Sequence, residues 1–309
     1  MKIYITYTLN SFTQEQIEKL SQLGNIVFIE EMVDKNNYPY LNDDEEKIIL
    51  ADPDWYDWNI DADHLSKIKN LKAICLSTTA FDWIDLEYCN SNNITVTNIP
   101  KYSTDSVAEY AVFYMMSLAK KLPLQIKNNF KMEYTIPMLT TEIRNKTVGI
   151  IGLGTIGSRV AELCSNLGMN VIYWSRSSKE NNYKRVDIKD IFDTADFIIP
   201  TFATNEETKK LITDELINKM NNTSFINVIN NPTEIYNHEL MLEKAAEGKI
   251  GYAFEKYDDK TIYDYEGNVF TTSAYSFYTK EAIGRLVSIW CENTELIIKN
   301  CPQNVVTLR

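Results

Sequence analysis

The stretch that decides the fold is TVGIIGLGTIGSRVAELCSNLGMNVIYWSRSSK, residues Thr147 to Lys179. An apolar run, Thr147 to Ile151, reads as a strand. Gly152, Gly154 and Gly157 follow in G-x-G-x-x-G spacing, and Ala161 and Leu163 then recur at helical spacing over Thr155 to Leu167. A second apolar run, Asn170 to Trp174, reads as the next strand. Ten glycines in 309 residues is about 3%, against a usual ~7%, yet four of them lie between Gly149 and Gly157. The spacing has a physical reason. The first glycine allows a tight turn, the second lets backbone approach a pyrophosphate, and the third lets helix pack on strand. The helix N-terminus then accepts the phosphate charge, so Gly152, Gly154, Thr155, Ile156 and Gly157 are candidate dinucleotide contacts.

Outward from this unit, strand-like and helix-like segments alternate along the whole chain. Strands are expected at residues 2–6, 25–29, 71–76 and 94–98, and again at 195–200, 224–228, 252–255 and 269–272. Helices are expected at residues 13–23, 106–122, 187–193, 214–220, 238–247 and 282–299, with a further one near Glu45 to Leu50. Such alternation predicts an α/β chain with parallel sheets. The acidic, aromatic segment from Glu30 to Trp58 is expected to supply core side chains, since aromatic residues dominate core burial.

Composition narrows the function. A net charge of −12 leaves no basic surplus for binding nucleic-acid phosphates. The five cysteines form no C-x-x-C pair and are odd in number, which argues for buried reduced thiols. No apolar stretch approaches the ~20 residues of a membrane span. The N-terminus lacks a signal-peptide pattern, so a cytoplasmic location is expected. There are two histidines, His64 and His238, both expected on solvated helices, and they limit metal and acid–base chemistry.

At the end of the second strand, a fold that prefers NAD usually places a carboxylate for the ribose 2′-hydroxyl. Here Ser175, Arg176, Ser177 and Lys179 stand there instead. Hydroxyls and cations accept a 2′-phosphate, so NADP is preferred over NAD.

With these residues in hand, the chain resembles the D-isomer-specific 2-hydroxyacid dehydrogenase family over nearly its whole length. The resemblance is carried by LKAICLSTTAFDWIDL, ITVTNIP, YSTDSVAEYAV, KTVGIIGLGTIGSRVAELCSNLGMNV, ADFIIPTFATNEETKKLI and INVINNPTEIYNHELMLEKAAEGKIGYAFE, in that order. It implies two doubly wound Rossmann-like domains with the active-site cleft between them. Residues 1–99 and 283–309 would form the substrate domain, and 100–282 the dinucleotide-binding domain. It also implies a homodimer, a small-molecule substrate, and further cofactor contacts from Phe202, Thr208, Val228 and Glu255.

The departures from the family pattern fall on its catalytic set. The arginine of a segment like I-N-x-x-R-G is Asn230 here, and the histidine of a segment like N-V-x-x-T-P-H is Ala274. The glutamate has Asp258 or Asp259 as its candidates, and a family proline is Ala203. Without the histidine, the proton donor would have to be Tyr275, Tyr278, Lys280 or Lys256, with Lys101 and Tyr102 as weaker candidates. Packing is the ordinary role of Tyr275 and Tyr278 in a chain of nineteen tyrosines. Two functions stay open: an NAD(P)-dependent oxidoreductase with a non-standard carbonyl-type substrate, and a catalytically inactive NADP(H)-binding sensor or assembly protein. A non-redox use of the fold has no positive support.

Overall fold

The computed structural model describes residues 1–177, 182–205, 207–229, 232–256 and 258–307. The chain forms two compact units. One comprises Met1–Tyr102 with Lys280–Arg309, the other Ser103–Thr279. The divisions fall after residues 102 and 279, not after 99 and 282. Tyr102 is buried beside Ile99, Ala282 and Leu286 in the first unit's core, and the last long helix already begins at Lys280.

In the first unit, β1 (Lys2–Ile5), β2 (Asn25–Phe28), β3 (Lys47–Ala51), β4 (Leu71–Leu76) and β5 (Thr95–Thr97) form a sheet in the order β2-β1-β3-β4-β5. All its pairings are parallel. The expected helix near Glu45 to Leu50 is therefore a strand, with all five residues of β3 buried. A short, wholly buried run shows no alternation, so periodicity cannot separate helix from strand there. The neighbours β1 and β4 decide it by claiming both of its backbone edges.

Alternate β3 residues feed two cores. Ile49 and Ala51 meet the buried Tyr38, Tyr40 and Tyr56, as expected of the aromatic segment. Ile48 and Leu50 meet Leu286, Val287 and Trp290 of the helix Lys280–Ile298. The Trp290 indole donates to the Cys75 carbonyl at 2.7 Å, which satisfies its one polar atom inside that core. His64, expected at the surface, is 1% exposed. Its helix, Ala62–Ser66, is too short to stand apart from the aromatic cluster, and Nε2 meets the Tyr40 hydroxyl at 2.9 Å.

The second unit is built on seven parallel strands: β6 (Thr147–Ile151), β7 (Asn170–Trp174), β8 (Lys184–Arg185), β9 (Phe197–Pro200), β10 (Thr223–Ile226), β11 (Ile250–Lys256) and β12 (Asn268–Ser273). Their order is β12-β11-β10-β9-β6-β7-β8. Helices Thr104–Ala119 and Thr155–Asn166 cover one face through Ala111, Met115, Val160 and Ala161. Helices Ile188–Thr194, Asp214–Lys219 and His238–Ala246 cover the other through Ile191, Ile217 and Met241. The sheet is thus doubly wound, and its strand order reverses beside β6. Among the described residues, no helix is long and apolar enough to cross a membrane. All five cysteines are free thiols, and only Cys301 is exposed.

Asp52, just after β3, carries a buried carboxyl group. One oxygen accepts from the Ser77 hydroxyl at 2.7 Å and the other from the Asp54 amide at 3.2 Å. Burial pushes its pKa up to about 6. The unfolded value is ~3.9, so between those limits the folded state holds more protons. The group therefore destabilises fully above pH 6, and stability recovers as pH falls from 6 toward 4. Asp52→Asn keeps the cap and removes the charge. Urea unfolding between pH 7.5 and 5 should show a weaker rise in stability on acidification in the variant. Equal slopes in the two proteins would refute this account.

Candidate functional site

The carboxyl ends of β6, β7, β9, β10, β11 and β12 share one edge of the second unit's sheet, and most of the sequence-predicted residues lie on it. Ligands of open α/β sheets bind at this edge, where strand order reverses. Gly152 sits there with φ +100°, a conformation that L side chains rarely adopt. Its amide donates to the Trp174 carbonyl at 2.8 Å. Its own carbonyl accepts the Thr201 hydroxyl, which ties the end of β9 to the turn. A Cβ on Gly152 would lie 2.8 Å from the Phe202 Cβ, so Phe202 closes one side of the turn.

The helix Thr155–Asn166 then begins without a side-chain cap on Gly154 and without an acidic residue in its first turn. Its first amides, including those of Thr155, Ile156 and Gly157, lack helical acceptors and carry the positive end of the helix dipole. A Cβ on Gly154 would meet nothing within 4 Å, whereas one on Gly157 would lie 2.1 Å from the Gly152 carbonyl oxygen. Open space above a bare helix N-terminus is what a pyrophosphate requires, so the residues present fit a dinucleotide.

Ser175, Arg176 and Ser177 follow β7; Ser175 is half-buried and the other two are exposed. Among the described residues that directly follow β7, none is a carboxylate. Arg176 pairs with Glu207. Arg185, which sequence reasoning missed, donates from Nη2 to the Ser175 carbonyl at 2.7 Å and braces this loop. It lies on the two-residue strand β8, too short to show any periodicity, and only pairing with β7 brings it there. Lys179 lies outside the described residues, as does Asn230.

The remaining predicted residues divide. Val228 is half-buried beyond β10. Thr208 is buried, and its hydroxyl serves its own loop: it donates to the Ala203 carbonyl and accepts from the Asn205 amide, both at 2.8 Å. Glu255 is buried at the end of β11, facing the turn after β12. In that turn Ala274 is half-buried, while Tyr275 and Tyr278 are 56% and 58% exposed. Neither ring is buried in the unit's core, and the two rings meet each other at 6.5 Å. Lys280 begins a helix of the first unit and is exposed. Lys101 is exposed and Tyr102 buried, also in the first unit. The Lys256 ammonium is held by Asp258, at 3.5 Å from Oδ1.

His238, expected to be solvated, is half-buried. Nδ1 lies 2.7 Å from the Tyr252 hydroxyl and the ring meets Phe254 edge-on. Burial lowers its pKa, which keeps the imidazole neutral.

Comparison with known proteins agrees with this geometry. Residues 112–257 match the NAD binding domain of the D-isomer specific 2-hydroxyacid dehydrogenases. A Staphylococcus epidermidis protein bearing the name 2-hydroxyacid dehydrogenase is 32% identical over 212 residues, spanning 65% of this chain and 66% of its own length. The chain thus covers just under two thirds of that relative. Among solved structures, an acyclic imino acid reductase in complex with NADPH and D-arginine aligns over 99% of this chain and 100% of its own, with a TM-score of 0.82 and 25% identity. The D-lactate dehydrogenase of Aquifex aeolicus, complexed with NAD and lactic acid, aligns over 100% of both chains, with a TM-score of 0.79 and 23% identity. Residues 112–257 of the second unit are thus similar to the NAD binding domain of the D-isomer specific 2-hydroxyacid dehydrogenases, and the shared fold runs along the whole chain.

Two glycine variants separate folding from binding. Gly154→Ala should melt like the wild type, because its methyl group meets only open space. It should nonetheless lose nicotinamide cofactor affinity by about tenfold or more, since the methyl stands where phosphate must approach. Gly157→Ala should lower both affinity and melting temperature, overpacking being worth ~1–3 kcal/mol. Wild-type affinity in Gly154→Ala, read by cofactor fluorescence, would remove the phosphate site from this turn.

Proposed function

We propose that this chain is an NADPH-dependent reductase of carbon–nitrogen double bonds, acting on imines of 2-oxo acids. The observation that carries the reading is Ala274, at the position where the family resemblance puts a proton-donating histidine. A ketone needs a proton on its oxygen as hydride arrives at carbon, and loss of the general acid costs ~10²–10⁴ in rate. A protonated imine already carries its proton on nitrogen. Hydride addition at its carbon gives the neutral amine directly, which then takes a second proton from water. The histidine is therefore dispensable for imines and not for ketones.

Three further features support the reading. Asn230 in place of the arginine can hold a carboxylate by neutral hydrogen bonds. The net charge of −12 repels a simple acid anion more than a protonated imino acid, whose iminium and carboxylate charges cancel. The structural relative at 25% identity is a reductase of acyclic imino acids that binds NADPH.

Bound reduced nicotinamide would supply the hydride. The chain's own contribution is to bind and orient. The amides of Thr155, Ile156 and Gly157 would take the pyrophosphate, and Ser175, Arg176, Ser177 and Arg185 the 2′-phosphate. Tyr275, next to Ala274 and exposed, would donate a hydrogen bond to the substrate.

The test is to follow loss of nicotinamide absorbance with a 2-oxo acid alone and with the same acid plus an excess of amine. Turnover is expected only with amine, and with NADPH well above NADH. Arg176→Ala should weaken NADPH about tenfold and leave NADH unchanged, the size of one charge-assisted hydrogen bond. Tight NADPH binding without turnover on any such pair would favour a binding protein and overturn the reading.

A homodimer belongs to the same proposal. Phe130, Met132, Tyr134, Ile136 and Leu139 are 66% to 91% exposed in one extended segment. Such a patch is uncommon on a monomer and suits burial against a second copy. Sedimentation should give a dimer, and Ile136→Asp should shift it toward monomer; a monomeric wild type would rule this out.

A further inference from the structure

We infer that Glu255 is a positioning residue for Tyr275, holding the turn after β12 so that the phenol is presented at the carboxyl edge of the sheet. This rests on the reductase reading for its chemical meaning but not for its geometry. One Glu255 oxygen accepts from the Ser276 amide at 2.6 Å, and the other from the Ser276 hydroxyl at 3.0 Å. From the opposite side, the Ser106 hydroxyl, on the helix Thr104–Ala119, donates to the Ser276 carbonyl. Within the turn, the Tyr275 amide lies 2.7 Å from the Ser273 carbonyl, and the Tyr278 amide donates to the Tyr275 carbonyl at 2.9 Å.

The result is a turn gripped at one residue. Ser276 is 4% exposed, while its neighbours Tyr275 and Phe277 are 56% and 37% exposed. Nothing in the burial of aromatic rings holds Tyr275 outward; the grip on Ser276 does. The grip uses a carboxylate. The donors converging on Glu255 are the Ser276 amide and hydroxyl, and a carboxylate accepts from both at once. A buried carboxylate held by neutral donors is costly, and an apolar residue would fill the same space at less cost. Retaining it makes sense where the turn must be held in one conformation.

The grip is also proton-dependent. Burial raises the pKa of Glu255 above the ordinary carboxylate range. Protonation converts one acceptor into a donor and releases part of the turn. The titratable groups that face Glu255 are the Tyr110 and Tyr114 phenols of the packed helix, which share the Thr272 hydroxyl at 2.9 and 2.8 Å, together with Tyr275 itself. Burial raises the pKa of the Tyr110 and Tyr114 phenols further from the acid range, so an acidic limb from this pair and Glu255 belongs to Glu255.

The test compares wild type, Glu255→Gln, Tyr275→Phe and the double variant as full chains. Hydrogen exchange at residues 275–277 should speed by about tenfold in Glu255→Gln, the cost of one lost hydrogen bond. In the wild type it should speed in the same way on acidification, and Glu255→Gln should lose that pH dependence. With imine substrate, Glu255→Gln should lower kcat by about tenfold with KM unchanged, and the double variant should be no slower than Tyr275→Phe alone. Unchanged exchange in Glu255→Gln, additive losses of kcat, or a large change in NADPH affinity would each overturn the inference. If the wild type shows no turnover, the reductase reading fails, and the exchange measurements alone still decide whether Glu255 holds the turn.

Discussion

Everything in the second unit is arranged around the exit from β6. That strand lies between β7 and β9, so its carboxyl end faces the point where the strand order turns back. The chain must reverse into a helix there within three residues. Gly152 makes the reversal possible, and Gly157 lets the helix lie against its carbonyl. The same reversal leaves the first amides of the helix uncapped and facing open space. The phosphate-binding potential of this edge is therefore a by-product of a close backbone approach.

Each unit carries a buried carboxyl group at a strand end of its own sheet. Asp52 lies at the carboxyl edge of the first unit's sheet, and Glu255 at that of the second. Both are held by hydroxyl and amide donors, and burial raises the pKa of each. Carboxylates in such settings cost stability, and they occur here at strand ends where side chains emerge toward bound molecules. Other buried polar groups are joined in networks such as His238–Tyr252–Tyr236.

In the proposed reading the fold is kept while the proton donor of the family pattern is not. Ala274 would then stand where a ketone substrate requires an acid, and the adjacent turn carries an exposed phenol at the same strand end. A substrate that carries its own proton reconciles a complete dinucleotide cradle with a reduced set of catalytic side chains.

Much of this was legible in the sequence. The glycine spacing, the alternation of strand and helix, and the hydroxyl-and-arginine strand end depend on local backbone geometry and short-range pattern, which a linear chain displays directly. The places where the sequence misled share one cause. β3 reads as a helix in the sequence because a fully buried run has no period. His64 and His238 were placed in solvent because their helices look polar, yet aromatic clusters from distant segments close over both. Arg185 reaches Ser175 only through strand pairing, and Glu255 reaches Ser276 only because β11 and β12 lie side by side. The amino-acid sequence by itself determined the fold class and the phosphate-binding turn, since both are written in neighbouring residues. Tertiary structure alone decided which buried groups meet and which tyrosine faces outward, because those contacts join residues that the chain keeps far apart.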